Sequence, residues 1–314
     1  MVFWWSQWVF LAVNIVSLPV YLPIIAVCIK EYKHNAAQRS FYLIIVSQGF
    51  MDLGLMASYF IFATLRLSEF CNNFFWTYKD YYIASWCFNQ TYVSAILRCF
   101  GVLVISFQRY VSLCKHGHPI EQIINSSHRW VLPLLQWTVP SIVSLPLLVI
   151  SNATFIAPDN LEVLLDRQTI TLATSMTGLF VAITFVLCFL CYWIILRFLV
   201  KHRYSNSIAL KRERRLYVQM LGLIVGFALL FVFYVLQFKF SLRSNDGPVF
   251  TMRVVFPVVS CFFSYVNAWM MFILNNDIRR KVFVLMGFQV QKVPGSVNMS
   301  TSLKVTPVGE PTRF

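Results

Sequence analysis

The chain has 314 residues, of which 58% are hydrophobic and only 12% charged, and it carries a formal net charge of +14. So apolar a chain cannot cover a soluble domain with polar surface, which makes lipid its expected solvent. The basic excess would suit nucleic acid, but Lys and Arg lie between the apolar runs and form no basic domain, so a nucleic-acid partner is excluded.

Residues 1–7 form a short tail without Lys or Arg, followed by a first apolar segment at 8–29. No cleavable leader is expected, and the first segment is read as its own signal anchor. Further apolar segments follow at 41–65, 83–107, 130–151, 170–199, 215–238 and 252–274. Each reaches about the 20 residues a helix needs to cross about 30 Å of hydrocarbon. The second segment contains Asp52 and Tyr59, and the third contains Thr91, Tyr92 and Arg98 and runs into Gln108-Arg109-Tyr110. Cys71 and Cys87 flank the first loop on the side predicted to be external, where a disulfide and two free thiols are both open readings. Among the N-x-S/T sequons, Asn152 is the glycosylation candidate, ahead of Asn89.

The fifth segment includes Thr174, and Cys188 and Cys191 inside it are read as packing residues. Before the sixth lies a basic block with one acid, Lys211-Arg212-Glu213-Arg214-Arg215; within it come Gly222, Gly226, Tyr234 and Gln237. The seventh carries Asn267. Residues 275–288 are predicted to form a short amphipathic juxtamembrane helix, with Arg279, Arg280 and Lys281 towards headgroups and Val282, Phe283 and Leu285 towards lipid. Residues 289–314 read as a disordered cytosolic tail. They carry Ser296, Ser300, Thr301 and Ser302 for phosphorylation and end in Thr312-Arg313-Phe314, a PDZ-type pattern.

Lys and Arg number three in 30–40, three in 109–129, seven in 197–215 and six in 275–314, or 19 on one side of the membrane against 6 on the other. The positive-inside rule then places the amino terminus outside and the carboxyl terminus in the cytosol. The expected fold is an all-α membrane protein, a seven-transmembrane helix bundle over 8–274.

At 1.5 Å per residue, Asp52 and Arg98 both lie about 16 Å deep, near the midplane, where ionised side chains require a partner. They are expected to pair, with Asn267 at a similar level completing a polar core that acts either as a switch or as static packing. The outer half of the bundle is the expected ligand zone, with Tyr59, Thr91, Tyr92, Thr174, Tyr234 and Gln237 as its polar contacts and a neutral or weakly polar small molecule as its occupant. Arg109 is read either as an interfacial anchor or as one half of a lock with Glu213. All five histidines fall in the predicted cytosolic loops, which argues against metal-dependent hydrolysis, and neither a metal nor a cofactor is expected.

Ser106 to Cys114, read Ser-Phe-Gln-Arg-Tyr-Val-Ser-Leu-Cys, resembles the E/D-R-Y motif of rhodopsin-like receptors with Gln in the acidic place. Asn267-Ala268-Trp269-Met270-Met271 stands where N-P-x-x-Y would be, and Asp52 matches the second-helix aspartate. On these residues the chain resembles the nematode serpentine chemoreceptors of the Srg superfamily, most of all the Srv class. The resemblance implies a rhodopsin-like G-protein-coupled architecture, no enzyme activity and a small odorant or pheromone as ligand. It implies a heterotrimeric G protein reached through Arg109, Tyr110, Glu213, Arg214 and Arg215, with arrestin or a PDZ protein at the tail, in the plasma membrane of sensory cilia. The proline and tyrosine of the seventh-helix motif are absent, and Arg98 would fill the level where rhodopsin-like receptors hold sodium. The alternative function is a transporter or ligand-gated channel with Asp52 and Arg98 in its pathway.

Overall fold

A hydrocarbon solvent forces every spanning segment to satisfy its own backbone polar groups, which for these apolar runs means helix. The computed structural model describes residues 5–34, 39–66, 71–114, 130–201, 208–242 and 247–287, with backbone alone at 208–217, 219, 220, 247–250 and 253. Among them are seven helices long and apolar enough to cross a membrane. They are α1 (Trp5–His34), α2 (Arg39–Tyr59), α4 (Ile83–Cys114), α5 (Val131–Leu148), α6 (Arg167–Lys201), α7 (Ile208–Ser241) and α8 (Gly247–Leu274). A short α3 (Asn72–Thr77) and a final α9 (Asn276–Leu285) complete the helices. Pro19 and Pro23 in α1, Pro140 and Pro146 in α5 and Pro257 in α8 are all accommodated inside helices.

The helices close a ring in which α1 lies between α2 and α8, α2 packs on α4, α4 on α6, α6 on α7 and α7 on α8, with α5 outside against α4 and α2. Within its apolar window α4 is 78% buried, against 28–50% for the other six, so α4 is the axis of the bundle. Close approach of α7 to α8 uses the Gly222 and Gly226 spacing: Gly222 faces Met270, and Gly226 faces Phe263 and Val266. Two apolar cores result, one joining α1, α2, α8 and α9, the other joining α4, α6, α7 and α8.

One element departs from the all-α expectation. Within 152–169, β1 (Thr154–Ala157) and β2 (Asn160–Leu164) form an antiparallel hairpin pairing Thr154 with Leu164 and Phe155 with Val163. Its inward residues Phe155 and Leu161 pack on Phe75, Ala84 and Cys87 and cap one end of the bundle, here named the hairpin end. Underneath, α2 continues into a π-helical segment, Phe60–Leu65, that leads into Arg66.

At the opposite end, α9 starts from Asn275, whose side-chain oxygen accepts from the backbone N–H of Asp277 and Ile278. Lys281 pairs with Glu31 of α1 at 2.6 Å. Val282, expected to face lipid, is instead buried with Ile278 in the core beside α1 and α8, whose apolar side chains wall it in. Leu285 does face outward, and Phe283 lies against Phe272 with ring centroids 5.6 Å apart. The tail at 289–314, with its phosphorylation and PDZ-type residues, lies outside the described residues.

Candidate ligand cavity and polar core

Because α4 is the axis, the side chains with chemistry to offer are arranged along it in three levels. At the middle level, Arg98 Nε stands 3.2 Å from Asp52 Oδ1, with both side chains under 10% exposed. The contact is coulombic and not a directed hydrogen bond, since neither of these two atoms has a hydrogen-bond partner. Tyr21 of α1 donates to Asp52 Oδ2 at 3.2 Å, and Arg98 Nη1 donates to Ser260 Oγ of α8. Four helices thus meet at one ion pair, each contributing one side chain. Asn267, expected to complete this core, is half-buried on α8 and lies seven residues, or about 10 Å, further along the helix than Ser260. The α8 partner of Arg98 is therefore Ser260.

Just beside this core lies an uncharged clasp. Gln136 of α5 donates to Gln48 of α2 at 2.6 Å, and Gly101 of α4 lies so close that a Cβ there would collide with the Gln48 amide and press on that of Gln136.

Towards the hairpin end is a cavity of about 160 Å³. Of the six residues proposed from the sequence, Tyr59, Thr91, Tyr92 and Gln237 line it, and Thr174 and Tyr234 do not. Those two are fully buried behind it, with Tyr92 OH sharing a hydrogen bond with Thr174 Oγ1 at 3.2 Å and Tyr234 OH donating to the Thr91 carbonyl at 3.4 Å. Aromatic and aliphatic walls come from Phe88, Phe233, Val254, Phe256 and Pro257. Sequence reasoning missed Ser6, Gln7, Gln90 and Glu162, and it places Arg66 only near the rim. Ser6 and Gln7 fall in the predicted tail, but α1 already begins at Trp5 and both are buried. Arg66 and Glu162 belong to the cavity only because the hairpin folds back: Arg66 Nη1 donates to the Leu161 carbonyl on β2, and its Nε donates to the Phe62 carbonyl at 2.9 Å.

Cys71 and Cys87 share the apolar cluster under the hairpin and are free thiols, so the loop is held there by packing and hydrogen bonds without a covalent bridge. Tyr82 donates to the Leu148 carbonyl at 2.6 Å, and Asn89 Nδ2 donates to Tyr82 OH and to the Ile150 carbonyl. With its amide nitrogen fully buried and engaged, Asn89 is a structural residue, while Asn152 is exposed at the start of the hairpin.

At the other end of α4, Arg109 is buried and its Cζ sits 3.3 Å from the centroid of the Phe41 ring on α2. Tyr110 is half-buried against Tyr192 and Ile195 of α6. The side chains of Glu213, Arg214 and Arg215, at the start of α7, lie outside those described, and with them the other half of the expected lock.

These levels have the layout of a serpentine receptor, and a family model described as serpentine type 7TM GPCR chemoreceptor Srv matches residues 10–288. The chain belongs to the Srv family. No curated protein matches it significantly. As an Srv chemoreceptor it is a multi-pass membrane protein of a receptor family and not of an enzyme family. The match ends at residue 288, just beyond α9, so the juxtamembrane helix lies within the family's common unit.

Proposed function

We propose that this Srv receptor binds a small external molecule in the hairpin-end cavity and activates a heterotrimeric G protein at its Arg109 end. The observation that carries this reading is the placement of cavity wall, buried ion pair and Arg109 along one helix, α4, at Tyr92, Arg98 and Arg109. A ligand that shifts α4 against α8 must alter the geometry of Arg98 between Asp52 and Ser260, so the ion pair serves as the two-state element. The cavity's size favours a small ligand, since an engineered apolar cavity of about 150 Å³ holds a benzene-sized guest.

The bundle lies with the hairpin end outside and α9 in the cytosol, a reading supported by the 19 to 6 division of Lys and Arg. Arg109 and Tyr110, with Glu213, Arg214 and Arg215 on α7, form the G-protein face; Asn152 carries the glycan; the tail recruits arrestin or a PDZ protein; the receptor resides in the plasma membrane of sensory cilia.

The test is signalling to a ligand panel in cells expressing a promiscuous G-protein α subunit, with wild type and Arg109→Ala at matched surface expression. A response lost in the variant is expected. A response that survives both the substitution and removal of the G protein overturns the reading in favour of a ligand-gated channel or transporter.

A further inference from the structure

Two glutamines in the cavity wall are each fixed by one half of their amide and left unpaired at the other. Gln90 of α4 is 3% exposed, and its Oε1 accepts from Ser58 Oγ at 2.9 Å. Ser58 Oγ in turn accepts from Trp86 Nε1 at 3.2 Å and keeps its own proton for Gln90 Oε1. Gln90 Nε2 is buried with no hydrogen-bond partner. Gln237 of α7 is 2% exposed and is set the opposite way: its Nε2 donates to Tyr92 OH at 3.1 Å, and Tyr92 is held by Thr174. Gln237 Oε1 is buried and has no partner.

A buried polar group without a partner is destabilising, and both glutamines line the same cavity, so a ligand seated there gains most by bonding to their unpaired amide halves. One supplies a donor and the other an acceptor. Charge gives no reason to prefer an ion, because the wall holds one cation and one anion, Arg66 and Glu162.

We infer that Gln90 and Gln237 are the specificity-determining pair of the cavity, and that its ligand is a compact neutral molecule with a hydrogen-bond acceptor for Gln90 Nε2 and a donor for Gln237 Oε1, as in an alcohol or a hydroxyketone. The inference rests on the hairpin-end cavity being the ligand site. It requires nothing of the G protein, so it is testable by binding alone. An acceptor-only molecule satisfies one glutamine, and a hydrocarbon satisfies neither. A site built to hydrogen-bond a polar ligand rejects an isostere lacking the group far more strongly than an apolar pocket discriminates by size.

The experiment measures thermal stabilisation of the purified full-length receptor in nanodiscs by four probes: methylcyclohexane, cyclohexanone, cyclohexanol and 2-hydroxycyclohexanone. Wild type is compared with Gln90→Met, Gln237→Met and the cavity-filling Ala63→Trp. Methionine keeps the volume of glutamine, and the melting temperature of each variant without probe shows that it is folded. Cyclohexanol and the hydroxyketone are expected to stabilise the wild type at the lowest concentrations, cyclohexanone more weakly, and methylcyclohexane not at all. Each methionine variant is expected to raise the half-saturating concentration of the two best probes about tenfold, the loss of one hydrogen bond. Gln237→Met is expected to leave cyclohexanone, which has no donor, unaffected. If methylcyclohexane stabilises as well as cyclohexanol and Ala63→Trp abolishes both effects, the cavity takes ligands without the glutamines and the inference fails while the site stands. If no probe stabilises the wild type, or Ala63→Trp leaves the shifts intact, the inference and the site fail together.

Discussion

Asp52 and Arg98 show most plainly what a pair of residues can and cannot decide in this fold. Removing one member leaves the other charged and unpaired in the bundle core. Arg98→Gln is therefore expected to cost about 3–5 kcal/mol, seen as a drop in the melting temperature of the purified receptor, and Asp52→Asn combined with it far less than the two single losses added together. Equal, additive losses would mean that the pair is not coupled. With the Arg98 guanidinium beside Asp52, agonist affinity is expected to be the same in sodium and in potassium buffer; a sodium shift abolished by Asp52→Asn would refute this. The ion pair was legible in the sequence because isolated charges at equal depth must meet. Ser260 and Tyr21 were not, since hydroxyls are common in spanning helices and nothing but packing selects which one meets the charge. The same holds for Gln90: its burial is readable from α4's position only once α4 is known to be the axis.

At the level of elements, two glycines separate packing from propensity. At Gly101 side chains of α2 and α5 meet α4, and the Gln48 and Gln136 amides fill the space its missing side chain leaves. Gly101→Ala is expected to destabilise the receptor by about 1–3 kcal/mol, by forcing a buried amide pair apart. Gly54, in the same helix as Gln48, has nothing within 4 Å of where a Cβ would stand, so Gly54→Ala is expected to be neutral or to stabilise by up to about 1 kcal/mol. Thermal unfolding of the two variants side by side checks both. The spanning helices themselves were readable because lipid demands a run of apolar residues for each, and their ends were not. Helix α4 continues to Cys114 and α6 to Lys201, since a helix leaving the bilayer keeps its hydrogen bonds when its side chains turn polar. The hairpin had a signal, Pro158-Asp159-Asn160 between short alternating runs, but strands of four and five residues are easily taken for loop. The π-helical segment that carries Arg66 to the hairpin had none.

For the whole molecule, the bundle joins a small cavity under a hairpin cap to a buried arginine at its far end, with α4 running between them. Transmission along that axis requires both ends to act on one output. The direct measurement is guanine-nucleotide exchange on a purified heterotrimeric G protein by the receptor in nanodiscs, with an agonist from the cell panel. Wild type is compared with Ala63→Trp, which fills the cavity, and Arg109→Ala, which alters the other end. Agonist-stimulated exchange in the wild type and in neither variant is expected, with Arg109→Ala still binding the agonist. Stimulated exchange that survives Ala63→Trp, or an agonist response that does not depend on Arg109, would contradict a signal running from the hairpin cavity along α4.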